Sequence, residues 1–266
     1  MLPWWSGRRC ETPVALVRVR VGAGTRSGTV PAVTQRVIMV TGSAGGIGTA
    51  ITNWFGSRGD VVVGLDLADG FDITDRTACD RAAAAAIDHH GAIDVLCNIA
   101  GVGAVGDVVT ATDADWHRVF GVNVFGVATM SAAVLPAMRA AGRGAIVNAC
   151  SVAASVGLVE RAVYSASKGA VLALTRAMAA DEVRHGIRVN CVSPGTVASP
   201  WVERLVADAP DPDTAMDALR RRQPLGRLVT CEEVAEAVGY LAAETTFTTG
   251  SDFLLDGGIT GVRLVE

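Results

Sequence analysis

Tyr164 and Lys168 stand four positions apart in the stretch YSASKGAVLALTRAMA, and Lys168 is the only lysine among 23 cationic residues in a chain of 266. The stretch has helical character, so the two side chains emerge from one face. A phenol, with an ordinary pKa of about 10, is a poor base at neutral pH. An ammonium about 4 Å away, worth on the order of 4 kcal/mol at an effective dielectric of about 20, favours the ionised phenol and suits it to general acid/base work. Arginine supplies charge as a planar fork, not as a compact titratable proton relay.

Residues 36–48 read RVIMVTGSAGGIG, a β-branched run into Gly42, Gly46 and Gly48, followed by a helix-forming stretch through Phe55. Glycines let a backbone turn sharply against a pyrophosphate, whose charge meets the amino terminus of the next helix. The second strand ends at Asp66, where an acidic residue accepts hydrogen bonds from adenosine ribose hydroxyls. A 2′-phosphate there would face a like charge, and Ser43, Ala44 and Gly45 offer it no cation, so the expected cofactor is NAD, not NADP. The competing readings are a tight turn without a ligand and an Asp66 that caps a turn.

Elements that hold such groups alternate along the chain. Short apolar runs, β-branched in all but the last, at 36–40, 60–65, 93–97, 144–149, 187–193 and 252–255 are mostly separated by alanine-rich stretches at helical spacing. That pattern predicts an α/β fold, a doubly wound parallel sheet of the Rossmann type, as one domain over 34–266. Residues 1–33 break the pattern and lack the unbroken apolar core of a secretory signal. They are read as a disordered tail, or as sequence upstream of a true start near Val30.

Composition narrows the partners. Hydrophobic content of 50% with 19% charged residues and a mean hydropathy of +0.37 excludes a disordered chain. A net charge of −4, with a basic run only at Arg220 to Arg222, argues against nucleic acid and for a small molecule. Cys10, Cys79, Cys97, Cys150, Cys191 and Cys231 are widely spaced without a metal-ligand pattern, which suits reduced, buried thiols in the cytoplasm. Val119 to Met138 is uncharged and long enough to span a membrane, yet Asn123, Thr129, Ser131 and Pro136 favour a helix buried in a core or subunit interface.

These motifs together resemble the short-chain dehydrogenase/reductase family over residues 35 to 258. TGSAGGIG is similar to its TGxxxGxG turn, Asn98-Ile99-Ala100-Gly101 to its NNAG strand end, and Ser193-Pro194-Gly195 to the segment beside the nicotinamide. Asn123 and Ser151 fall at its catalytic asparagine and serine. The resemblance implies that Tyr164 exchanges a proton and that Lys168 lowers its pKa and holds the nicotinamide ribose. It also implies that Ser151 steadies the reacting oxygen and that Asn123 positions a water behind Lys168. The implied dinucleotide set adds Ser43, Ile47, Asp72, Asn98, Ala100, Gly101, Pro194, Gly195, Val197 and Ser199. Departures are Ile99 for asparagine, Cys150 before Ser151, Ser199 for threonine, and only five residues between Asp66 and Asp72, where relatives place a helix. That short crossover is expected to open the adenine side.

Substrate is less determined than reaction type. The apolar stretches 102–105 and 152–159, with Trp201 as a lid residue, are expected to line the pocket. SVAASVGLVERAVYS, NCVSPGTVASPWVER and RRRQPLGR are similar to the cytosolic 3-hydroxybutyrate dehydrogenases of the family, in which matching arginines hold a small carboxylate. That resemblance names Arg161, Arg204 and Arg222 as a clamp; the competing reading is a solvated helix face. The alternatives to a small 3-hydroxy acid are a 3-oxoacyl thioester, a cyclic or sugar alcohol, or an NAD-binding scaffold with an idle site. The apolar stretches 119–138 and 165–180 exceed what one sheet face must cover, and the resemblance implies that such helices pair into a homotetramer or homodimer.

Overall fold

The structure, a computed structural model, describes residues 35–263; the extension read at 1–33, including Cys10, lies outside the described residues. Strands β1 (Val37–Thr41), β2 (Val61–Leu65), β3 (Val95–Asn98), β4 (Gly144–Ala149) and β5 (Ile187–Pro194) are followed by the short β6 (Val197–Ala198) and β7 (Val229–Thr230), and by β8 (Asp252–Leu255). Six of them form a sheet in the order β2-β1-β3-β4-β5-β8, and every pairing is parallel. The order reverses beside β1, which opens a crevice at the carboxyl ends of β1 and β3, the usual ligand position of an open α/β sheet. This is the expected doubly wound fold, in a single domain.

Alternation along each strand divides the core into two layers. Ile38, Val40, Val95, Cys97 and Val147 face α1 (Gly46–Gly56) and α8 (Cys231–Ala242), where Ile51, Phe55, Val238 and Leu241 meet them. Val37, Met39, Leu96 and Ile146 face α2 (Arg76–His90), α4 (Val127–Ala141) and α5 (Ala162–Glu182), which contribute Ala83, Met130, Val134 and Met178. Each fully buried Ile, Phe or Met contributes about 1.5–3 kcal/mol. On the first face α1 and α8 approach closely because Gly239 leaves a notch for the Trp54 ring; a Cβ there would lie 2.2 Å from it.

Between β2 and α2 the crossover is a single 3-10 turn, Leu67–Asp69. The truncation expected from the spacing of Asp66 and Asp72 is therefore real, and it leaves β2 as the edge strand. The apolar run at 119–138 belongs to a helical stretch made of α3 (Asp113–Phe120), a π-turn (Gly121–Gly126) and α4. The stretch is long and apolar enough to cross a membrane. Its Val119, Val127, Met130, Val134 and Met138 are nevertheless buried in the core, with Asn123 and Ser131 buried beside them. After β5, β6 pairs with β7 and the chain continues as α6 (Pro200–Ala207) and α7 (Pro212–Arg221).

Candidate active site

Parallel strands deliver the site residues at one end. The glycine turn leaves β1, Asp66 follows β2, Ile99 to Gly101 follow β3, Ser151 follows β4 and Gly195 follows β5. In the turn, Gly42 takes φ +69°, open to glycine at little cost, and its N–H donates to Leu65 O at 2.8 Å. A Cβ on Gly42 would lie 2.8 Å from Ala100 N and Cα, one on Gly48 2.0 Å from Gly42 O, and one on Gly46 2.9 Å from Pro200 Cδ. Gly45 gives α1 no side-chain cap, so the amides of its first turn are free of one. Such a cradle, ending in uncapped helix amides, fits a dinucleotide pyrophosphate.

Asp66 caps a turn, as the competing reading had it, and also braces the glycine turn. Its Oδ1 accepts from Ala68 N at 2.9 Å, capping the 3-10 turn, and its Oδ2 accepts from Ala44 N at 3.0 Å, bracing the glycine turn. Two backbone bonds leave lone pairs on both oxygens. Asp72 is exposed and accepts from Thr74 N and Oγ1, both at 2.8 Å. The Asn98 side chain points into the sheet, donating to Ser131 Oγ at 3.1 Å and to Asn148 Oδ1 at 2.9 Å, so it ties β3 to α4 and β4 and does not face the crevice. Asn148 extends this buried ladder to Thr175 of α5 at 2.9 Å.

The four catalytic candidates converge between β4, the π-turn and α5. Lys168 is buried, its Nζ donating to Ala149 O at 2.8 Å and lying 5.7 Å from the centre of the Tyr164 ring. Ser151 is buried at the end of β4, where its Oγ accepts from Ala153 N at 3.2 Å. Asn123 is fully buried; its Oδ1 accepts from Val102 N at 2.8 Å, and its Nδ2 donates to Val102 O at 2.9 Å and Ser167 Oγ at 3.0 Å. Both amide N–H groups are thus committed, and only a lone pair of Oδ1 remains. A Cβ on Gly101 would lie 3.4 Å from that oxygen and 3.6 Å from Lys168 Nζ, so the bare glycine lets both approach the end of β3.

Other expected residues fall into place unevenly. Ser199 caps α6 by accepting from Val202 N at 3.4 Å, and Gly195 N donates to Leu255 O at 2.9 Å. Ile47 packs on the α1–α8 core, Val197 is buried on β6 and Pro194 closes β5. Trp201 is half-exposed, its ring lodged over Gly103, whose Cβ would lie 3.0 Å from Cζ2. Arg161, half-buried, precedes α5 and donates to Glu160 O at 2.9 Å. Arg204 and Arg222 are exposed. Arg220 pairs with Asp217 at 2.8 Å, so this run behaves as the solvated face.

Three features here were not anticipated. Ser167 links Asn123 to the backbone at Tyr164, Thr41 Oγ1 accepts from Ile99 N and Ala100 N, and a two-loop clasp precedes α5. In that clasp Gly106 N donates to Glu160 O at 3.0 Å and Ala162 N to Gly106 O at 3.2 Å, with Glu160 held at φ +55°. Beneath Ser151, the Cys150 Sγ donates to Lys168 O at 3.3 Å. Hydrogen bonding with Cys191 draws the Cys150 thiol down to about 7, and the same contact with burial pushes Cys191 up. At the opposite end of the sheet a cavity of about 260 Å³ is lined by Arg36, Arg143 and Arg188, but Arg188 is spent on the carbonyls of Leu241, Ala243 and Thr248.

The family model described as Enoyl-(Acyl carrier protein) reductase matches residues 42–260. Dehydrogenase/reductase SDR family member 6 of Danio rerio is 40% identical over 240 residues, covering 84% of this chain and 96% of that protein. The chain belongs to the short-chain dehydrogenase/reductase family. A second relative, cis-4-hydroxycyclohexanecarboxylate dehydrogenase of Sinomonas cyclohexanicum, is 38% identical over 253 residues, covering 86% of this chain and 98% of that one. Among solved structures of short-chain dehydrogenases, ligand-free aldohexose dehydrogenase of Thermoplasma acidophilum superposes with a TM-score of 0.81 at 30% identity, over 87% of this chain and 98% of the other. This short-chain dehydrogenase is accordingly an oxidoreductase of alcohols and ketones that works with a nicotinamide dinucleotide.

Proposed function

We propose that the enzyme uses NAD to interconvert a secondary alcohol and a ketone, with a small 3-hydroxy acid as substrate. The observation that carries the reading is the placing of buried Lys168, whose Nζ lies 5.7 Å from the centre of the Tyr164 ring, bonds Ala149 O two residues before Ser151, and stands 3.6 Å from a Cβ built on Gly101, next to the Ala100 that packs on Gly42. Residues of the cradle, Asp66 and Lys168 would hold the dinucleotide, which when bound supplies the acceptor or donor of hydride. Tyr164 takes the hydroxyl proton during oxidation and returns it during reduction. The Lys168 ammonium lies 5.7 Å from the centre of the Tyr164 ring and balances negative charge that develops there as the proton moves. Ser151, fixed by Ala153 N, keeps its own O–H to donate to the reacting oxygen. Asn123 holds the Val102 loop, so the floor of the pocket stays in register with α5.

NAD is favoured by Asp66, which is braced against the glycine turn where a 2′-phosphate would bring like charge, in a turn whose Ser43, Ala44 and Gly45 carry no cation. The same residue argues against a 3-oxoacyl thioester reductase drawing on NADPH. For the acid, support comes from Arg161 one turn before Tyr164 and from a relative whose name joins a hydroxyl and a carboxylate on one ring. The second reading, a neutral cyclic or sugar alcohol, is favoured by the exposure of Arg204 and Arg222 and by the aldohexose dehydrogenase likeness. Exposed Phe125 on the π-turn and Leu254 on β8 suit a homotetramer or homodimer, and free, buried cysteines suit the cytoplasm.

The test is kcat/KM for a panel of hydroxy acids and neutral secondary alcohols, each with NAD and NADP, on the wild type and Arg161→Ala. The reading expects preference for NAD and for acids, with the preference for acids collapsing in the variant. Equal use of NADP, or an unchanged acid preference in Arg161→Ala, contradicts it.

A further inference from the structure

We propose that Ser167 is a positioning residue that locks the Tyr164–Lys168 helix to Asn123. It is fully buried on α5, one position before Lys168. A helical serine that donates to the carbonyl three residues back is ordinary, and Ser167 Oγ does so to Tyr164 O at 2.7 Å. The same oxygen also accepts from Asn123 Nδ2 at 3.0 Å, across 44 positions of sequence. Asn123 in turn clamps both backbone groups of Val102. One hydroxyl therefore joins the backbone of the proton-exchanging residue to the π-turn and to the loop after β3.

Consequences follow from satisfaction of donors. Without the Ser167 oxygen, one N–H of Asn123 has no partner in a place sealed from water, and the amide regains freedom to tilt. Its Oδ1 then shifts relative to Lys168 Nζ, the two atoms that flank Gly101. Among the described residues the Lys168 ammonium makes one hydrogen bond, to Ala149 O. Loosening its surroundings lets the ammonium drift relative to the centre of the Tyr164 ring, 5.7 Å away, while the glycine cradle and Asp66 keep their hold on the dinucleotide. The inference rests on the acid/base roles of Tyr164 and Lys168, and on neither the NAD preference nor the substrate.

The experiment compares wild type, Ser167→Ala, Asn123→Ala and the double variant, using whichever alcohol and dinucleotide the wild type turns over fastest. Ser167→Ala is expected to lower kcat about tenfold. KM and the Kd for NADH should stay within about twofold. The acidic limb of the oxidation profile should move to higher pH, and adding Ser167→Ala to Asn123→Ala should cost nothing further. An unchanged kcat and pH profile in Ser167→Ala overturns the proposal, as does a fully additive loss in the double variant. A loss equal at every pH, matched by a smaller folded fraction, shows a structural role only and overturns it too. Wild-type enzyme that binds NADH but turns over no alcohol would remove the acid/base reading beneath it.

Discussion

Replacing Gly48 by alanine puts a methyl where the glycine turn already stands. The new carbon would lie 2.0 Å from Gly42 O and 2.8 Å from Gly42 C and Ser43 Cα, against ordinary contacts of 3.4–4 Å. The turn would have to retreat by about 1.4 Å. The obstacle is backbone, and it is pinned: Gly42 N is bonded to Leu65 O at 2.8 Å and Ala44 N to Asp66 at 3.0 Å. Retreat therefore breaks the tie to β2 and spreads the cradle. Overpacking of this kind costs about 1–3 kcal/mol. Expressed as lost cofactor affinity, that is about fivefold to about 150-fold weaker NADH binding. Fluorescence titration of NADH measures it, with thermal melting of the free protein alongside. Gly56→Ala is the control, since it ends the same helix with nothing within 4 Å of the added carbon. It should leave the Kd unchanged and raise stability by up to about 1 kcal/mol. Gly48→Ala protein that binds NADH within about twofold of wild type would refute the cradle.

Lys168→Arg keeps a positive charge but not a compact ammonium bonded to Ala149 O, and should lose about a hundredfold or more in turnover by steady-state assay. Glu182, buried on α5, bonds Arg139 of α4 through both carboxylate oxygens, and the guanidinium holds its carboxyl below the usual range. Because the folded state favours the ionised form, this stabilisation is complete above about pH 4.3 and is lost as pH falls. Urea unfolding should show Glu182→Gln about 1–3 kcal/mol less stable at pH 7, with the gap to wild type narrowing in acid.

Local chemistry made most of the fold legible. The run read at 187–193 coincides with Ile187–Pro194 because its β-branched residues are buried on both faces and end at a Pro-Gly turn, and the run at 252–255 coincides with Asp252–Leu255 because an apolar Phe-Leu-Leu stretch ends before Gly257. The site residues were legible where spacing within one element carries them, as for Tyr164 and Lys168, or where a glycine must yield space, as at Gly42 and Gly48. Contacts made across long separations were not. The bonds of Asn123 to Val102 and Ser167 span 21 and 44 positions, and a helical serine looks the same whether or not a distant amide reaches it. The π-turn that presents Asn123 has no propensity signal to distinguish it from the helix on either side. For Arg204 and Arg222 similar strings suggested a clamp, and α6 and the end of α7 leave both exposed to water.

The central claim is that Tyr164 moves the proton in a dinucleotide-linked oxidation. Its most direct test is Tyr164→Phe, followed by NADH absorbance during oxidation of the best hydroxy acid or alcohol. NADH binding should match wild type while turnover falls about a hundredfold to about ten-thousandfold. A Tyr164→Phe enzyme that binds NADH and retains a near wild-type rate would contradict the assignment.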